Sequence, residues 1–239
     1  MMKLHLLGVN GPFPASRGAT SGYLLEAGAD LFQFDLGSGV LGVLTALTAP
    51  ESLTALFISH WHFDHAADVP VLMYRLQALN RTLPVYGPAD PDSALYRLVS
   101  SVPCFDFTEV SPGSTLKSGE AAVRVTAARH PVPAVGYTVS FLGRIFGYTG
   151  DTNTLPSLAK DFLGCDLLLA DGLFPRESWA EGKPHLSAEL AARLALEAEA
   201  KALVVTHLNP FIPRRILLEE ARALYPSVQL AEAGAVIDL

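Results

Sequence analysis

The sequence predicts a four-layer α/β sandwich, in which two sheets pack face to face with helices outside. Three observations carry this. Apolar runs of strand length alternate with helix-like segments at both ends of the chain. A β-rich stretch, residues 105–149, lies between those two mixed parts. Half of the 239 residues are hydrophobic and 17% are charged, which supplies a sizeable core and excludes a disordered chain. Pro and Gly are scattered and no stretch reads as a linker, so residues 1–239 are expected to form a single domain.

The elements follow in order. Residues 23–27 and 31–35 read as a hairpin turning at Gly28-Ala29-Asp30. Residues 53–59 (LTALFIS) are almost continuously apolar, as in a strand buried on both faces. Residues 68–79 place Val69, Leu72, Met73, Leu76 and Leu79 at helical spacing, with Pro70 in the first turn. Residues 83–86 read as a strand and 92–99 as a helix. In the β-rich middle, 105–110, 121–128, 135–141 and 144–149 are strands, the last two joined by a tight turn at Gly143. Residues 167–170 form a strand and 187–200 a helix whose first amides Ser187 can cap. A strand at 203–206, a helix at 213–224 and a strand at 235–239 complete the chain.

Acidic residues outnumber basic ones, 24 to 17, for a net charge of −7. A grip on nucleic acid through bulk positive charge is therefore disfavoured. Two cysteines, Cys104 and Cys165, cannot build a disulfide framework and read as small buried apolar side chains. No run reaches the ~18 apolar residues of a membrane span, and residues 1–9 lack a signal-peptide cleavage site. A soluble, cytoplasmic protein is expected.

The histidines carry the chemistry. His60-Trp61-His62-Phe63-Asp64-His65 directly follows the apolar strand. In extended chain His60 and His62 point the same way, and the turn beyond them can swing Asp64 and His65 toward a neighbouring position. A lone histidine is usually a satisfied core residue or a solvated one; three with an aspartate in one hexapeptide are not. His130, Asp151 and His207 each follow a strand-like run, where α/β sheets deliver functional residues. Neutral imidazoles with carboxylates suit zinc, with manganese or iron as alternatives.

These residues resemble the metallo-β-lactamase superfamily: HxHxDH at 60–65, then His130, Asp151 in an apolar-Gly-Asp turn, and His207. Residues 31–37 (LFQFDLG) match the family's early strand, which ends in Asp35. The resemblance spans the chain and implies an αββα sandwich, the metallo-β-lactamase fold. It also implies two divalent metal ions, one held by His60, His62 and His130, the other by Asp64, His65 and His207, with Asp151 bridging. Residues 130–137 (HPVPAVGY), 148–152 (YTGDT), 185–187 (HLS) and the loop 8–14 (GVNGPFP) are similar to the ribonuclease Z and phosphodiesterase branch. There the residue at the His185 position contacts the scissile phosphate. Asp171 stands where that branch orients this histidine with a longer Glu. His130 and Asp151 are 21 positions apart, which leaves no room for the arm that tRNA-processing members insert there. Homodimers are common in the branch.

The resemblance implies a hydrolase whose two-metal centre activates a bridging water for in-line attack on phosphorus. Asp64 would relay a proton, and His185 would donate to a phosphoryl oxygen or the leaving group. The expected substrate is a small or flexible phosphodiester. Thioester or lactone hydrolysis and tRNA 3′-end processing are the alternatives; a non-catalytic metal-binding module ranks below them. Trp61 and Phe63 either line the pocket mouth or pack in the core. Arg214 and Arg215 either reach a phosphate or are solvated.

Overall fold

The computed structural model describes residues 1–239. The first half runs β1 (Met2–Gly8), β2 (Gly22–Ala27), β3 (Asp30–Phe34), α1 (Val40–Leu47), β4 (Ala55–Phe57), α2 (Phe63–Ala66), α3 (Val69–Ala78), β5 (Leu83–Gly87), α4 (Ala94–Ser101) and β6 (Phe105–Glu109). The second runs β7 (Thr115–Ser118), β8 (Ala121–Ala127), β9 (Val135–Phe141), β10 (Arg144–Tyr148), α5 (Leu158–Asp161), β11 (Leu167–Asp171), α6 (Ala188–Glu197), β12 (Leu203–Thr206), α7 (Arg214–Arg222), β13 (Gln229–Leu230) and β14 (Val236–Asp238). The strands form two seven-stranded sheets, β14-β1-β2-β3-β4-β5-β6 and β13-β12-β11-β10-β9-β8-β7.

Each sheet is antiparallel on one side and parallel on the other. Strands β3 to β6 run parallel in the first, and β10 to β13 in the second. Parallel neighbours need crossover helices, and those helices cover the outer faces. Val40, Leu44, Val69, Leu72 and Leu76 pack on Leu24, Leu56 and Val85 of the first sheet. Leu158, Ala191, Ala195, Leu217 and Ala221 pack on Leu168, Ala170 and Val205 of the second. Between the sheets lies an aromatic core in which Phe34 contacts Phe57, Tyr137, Phe146 and Tyr148. The four layers match the predicted architecture.

Several boundaries differ from the sequence reading, each for a physical reason. The first hairpin turns on Gly28 and Ala29 alone, because Asp30 already pairs with Ala27. The β-rich stretch is divided between the sheets: β6 pairs parallel with β5, and β7 opens the second sheet. Helix α4 starts at Ala94, since Ser93 Oγ accepts from the Tyr96 amide at 3.4 Å. Leu79 caps α3 and is exposed rather than buried. Strands β7 and β13 and helix α1 carry no clear local pattern, whereas β1 alternates Met2, Leu4 and Leu6 with Lys3 and His5, a strand pattern that the sequence reading omits. Helix α1 has Gly39 at its N-cap and Gly42 within it, and no cap of its own. Ser187 caps α6 as expected, accepting from the Leu190 amide at 3.2 Å. Cys104 and Cys165 are buried and unpaired. No helix is long and apolar enough to cross a membrane.

Candidate metal centre

The fold brings the seven expected ligands, with Asp35, Asp171 and His185, to one end of the sandwich. Asp35 follows β3, residues 60–65 follow β4, and Asp151 follows β10. Asp171 ends β11 and His207 follows β12. His130 arrives from the antiparallel β8, and His185 lies just before α6. Strands that run parallel present their carboxyl ends together, so residues distant in sequence meet there.

Two sets of donor atoms result. In the first, His60 Nε2 lies 2.9 Å and His130 Nε2 3.1 Å from His62 Nδ1. Two nitrogens about 2.1 Å from one tetrahedral ion would stand about 3.4 Å apart, so the spacing suits a shared cation. The second set holds Asp64, His65, Asp151 and His207. His65 Nε2 is 3.2 Å from Asp151 Oδ2 and 3.7 Å from Asp64 Oδ2. His207 Nε2 is 3.6 Å from Asp64 Oδ2, and its Nδ1 is 3.0 Å from Asp151 Oδ1. Asp151 Oδ2 also lies 3.6 Å from His60 Nε2, so this carboxylate stands between the two sets.

Neighbouring groups aim the imidazoles. His65 Nδ1 donates to Asp35 Oδ2 at 2.7 Å, and Tyr148 Oη donates to the same oxygen at 2.5 Å. Ser59 Oγ also donates to it at 2.8 Å and stands 3.1 Å from His60 Nδ1. His130 Nδ1 donates to the Pro184 carbonyl at 3.1 Å. These bonds occupy one ring nitrogen and turn Nε2 into the cluster, as metal-binding histidines require. His207 is held in the left-handed region at φ 59°. It also needs the bare backbone of Gly11: a Cβ there would lie 2.0 Å from His207 Nε2.

The electrostatics separate the sets. Burial pushes His60 and His62 below the usual histidine range, and takes His130 to about 4. The first set is therefore neutral and has lone pairs to give. Burial also opposes a proton on His65, but Asp151 and Asp35 outweigh it and raise its pKa well above the usual range. Burial works against ionisation of Asp151, yet the charges of His207, His65 and His185 hold it well below the carboxylate range. A divalent ion would compete with those protons for the same atoms.

The donor set fits metal. His207 Nε2 is buried and has no hydrogen-bond partner, and Asp151 Oδ1 has only the poorly aligned His207 Nδ1 at 3.0 Å. Orphaned polar atoms are costly in a protein interior, and both belong to the second donor set. Imidazole nitrogens with carboxylate oxygens are zinc-type donors.

Beside the clusters, His185 Nδ1 donates to Asp171 Oδ2 at 2.9 Å and lies 3.7 Å from Asp151 Oδ2. The shorter Asp171 side chain reaches its histidine. Its carboxylate also accepts from the amides of Thr152 and Leu173, at 3.1 and 3.2 Å. Burial would lower the His185 pKa, but Asp171 and Asp151 override it and raise it to about 9.

The neighbours sort as follows. Trp61 is 4% exposed, and its Nε1 donates to the Pro88 carbonyl at 2.8 Å. Phe63, two residues on, is 71% exposed at the mouth of the site. Arg214 and Arg215 do not face the centre. They line a separate cleft with Leu6, Val204 and Ile237, and Arg214 donates to the Ala231 carbonyl at 2.6 Å. His5 pairs with Glu26 at 2.8 Å on β1 and β2. Sequence reasoning gave no role to Ser59, Tyr148 or Gly11, because each acts through a partner distant in sequence.

Known proteins agree with this geometry. The model of the family described as the beta-lactamase superfamily domain matches residues 22–208. The chain is 30% identical over 242 residues to the probable metallo-hydrolase YhfI of Bacillus subtilis, covering 98% of this chain and 99% of that one. The crystal structure of YhfI superposes with a TM-score of 0.93 over 99% and 98% of the two chains. A ribonuclease Z of Methanosarcina acetivorans is 25% identical over 294 residues, covering 97% of this chain and 96% of the relative. The short form of human tRNase Z shares the fold, with a TM-score of 0.81 at 22% identity over 99% and 98% of the chains. Sandwich, donor clusters and relatives agree, and this chain belongs to the metallo-β-lactamase superfamily as a metallo-hydrolase.

Proposed function

We propose that this chain is a phosphodiesterase working with two divalent ions, zinc in the first instance, on a small or flexible phosphodiester. The observation that carries the reading is His185, tied to Asp171 at 2.9 Å beside the two donor sets. Two sets meeting at Asp151 support two ions, and bound ions would supply an activated water and neutralise phosphate charge. Asp64, within 3.7 Å of both His65 and His207, is placed to accept a proton. His185, with its pKa raised to about 9, carries a proton at neutral pH and donates it to a phosphoryl or leaving oxygen. Asp171 positions that ring.

Substrate size follows from the connection between His130 and Asp151. Strands β9 and β10 pair as a hairpin, Arg144 opposite Phe141, and no arm projects there to grip a folded RNA. The likeness to a ribonuclease Z at 25% identity supports phosphodiester chemistry.

Purified protein should carry about two metal ions per chain and cleave bis-p-nitrophenyl phosphate or a cyclic nucleotide. His185→Ala should lower kcat about 100-fold without lowering metal content. Less than about one metal per chain would overturn the metal assignment. Hydrolysis of a glutathione thioester or a lactone in place of the phosphodiesters would move the assignment to acyl chemistry, and efficient cleavage of precursor tRNA would move it to tRNA processing.

A further inference from the structure

A cavity of about 280 Å³ adjoins the centre, lined by Trp61, His62, Phe63, Asp90, Leu95 and Val132. Two of its walls belong to the HxHxDH segment itself, so a group lying there is continuous with whatever occupies the donor clusters. Its far wall comes from the chain after β5. Asp90 thus stands beyond the carboxyl end of a parallel strand, the same topological place that supplies Asp35, Asp151 and His207.

Asp90 is the unusual member. It is 7% exposed, and its carboxylate has neither a hydrogen-bond nor an ion-pair partner within the protein. The arginine nearest in sequence is committed elsewhere: Arg97 donates to the carbonyls of Pro91 and Asp92, at 2.7 and 3.0 Å. A carboxylate on a nearly buried residue, with no donor from the protein, favours a ligand that brings one. No side chain of the cavity donates to it. Trp61 spends its only donor on the Pro88 carbonyl, and Ser93 Oγ accepts from the Tyr96 amide. Phe63, Leu95 and Val132 contribute apolar surface. Asp92 adds a second carboxylate at the rim.

The cavity therefore combines apolar walls with two carboxylates. A phosphate is repelled from it by like charge, while the neighbouring clusters favour one. We infer that Asp90 is a specificity-determining residue: one ester arm of the substrate is an apolar ring bearing an amine or other N–H donor, which lies in this cavity and donates to the Asp90 carboxylate. This rests on the phosphodiesterase reading above. It adds that the two ends of the substrate are chemically different, one anionic on the His/Asp clusters and one donating in the cavity.

The test compares two probes on the metal-loaded protein, p-nitrophenyl benzyl phosphate and its 4-aminomethyl derivative, which release the same chromophore. Wild type should show a KM about tenfold or more lower for the amine, as a hydrogen bond to a charged group gives. Asp90→Asn should bring the ratio of the two KM values to about one. The substitution keeps the shape and loses no protein hydrogen bond, so the fold is retained. Phe63→Ala, at an exposed position, should raise KM for both probes and preserve the preference. Equal treatment of the probes by wild type, or a preference that survives in Asp90→Asn, would overturn the inference. If neither diester is cleaved, the phosphodiesterase reading fails by itself. Calorimetric titration with benzylammonium chloride then decides the cavity assignment: binding weakened about tenfold in Asp90→Asn upholds it, and equal or absent binding in both proteins overturns it.

Discussion

At the scale of single residues, the centre depends on an absent side chain as much as on its donors. Gly11 leaves the space that His207 Nε2 occupies, since a Cβ there would come within 2.0 Å of it. Gly11→Ala should displace His207 and reduce the metal bound per chain, read by metal analysis of the purified variant, with little change in secondary structure by circular dichroism. In the proposed reaction Asp171 acts through His185. Its carboxylate helps raise the pKa of that ring to about 9, so the proton is held at neutral pH and lost as pH rises through that value. Asp171→Asn removes a raising charge. The alkaline fall in kcat should then move to lower pH while metal content stays constant; an unmoved limb would mean that His185 does not donate in the rate-limiting step.

At the scale of elements, support for the site passes between segments. Helix α1 lacks a cap of its own. Asp68, at the start of α3, supplies one by accepting from the Leu41 amide at 2.8 Å. Asp68→Ala should cost about 1 kcal/mol, the usual value of a lost N-cap, measured by urea denaturation. Asp68 also follows the HxHxDH segment closely, and its amide donates to the Leu36 carbonyl at 3.0 Å. The same short stretch thus anchors the first sheet's outer helices and the loop beyond Asp35. Strand β11 does comparable work in the second sheet: its residues are buried throughout, and its last one, Asp171, is a functional candidate.

At the scale of the whole molecule, the aromatic layer between the sheets and the centre are joined through Asp35. Phe34 packs in that layer. The next residue accepts from Ser59, His65 and the core Tyr148. Global stability should also depend on acid through Asp166, which joins three segments. It accepts from Arg144 at 2.8 Å, the Ile145 amide at 2.8 Å and Lys201 at 2.9 Å. Burial works against its ionisation, but Lys201, the Ile145 amide and Arg144 outweigh that and lower its pKa to about 2. A carboxyl depressed in the folded state stabilises above its unfolded pKa of about 4, and that contribution fades as pH falls toward 2. Arg144 and Lys201 are solvated, so screening limits the effect. Asp166→Asn should lose about 1–2 kcal/mol at pH 7, and the gap to wild type should narrow at pH 3, by urea denaturation at both pH values.

The sequence by itself determined the sandwich and named the candidate donors that the fold gathers. Strand-length apolar runs ending in His or Asp are a local pattern, and a hexapeptide with three histidines and an aspartate has few other uses. It also located Asp171 and His185, although not that the shorter carboxylate would reach. Tertiary structure alone decided what depends on pairing across the chain. It buried Trp61 and exposed Phe63, turned Arg214 and Arg215 away from the centre, and divided the β-rich stretch between two sheets. It also placed Gly11 against His207 and left Asp90 facing a cavity without a partner. Burial and hydrogen bonding are properties of neighbours, and these neighbours come from strand ends that only the folded sheets bring together.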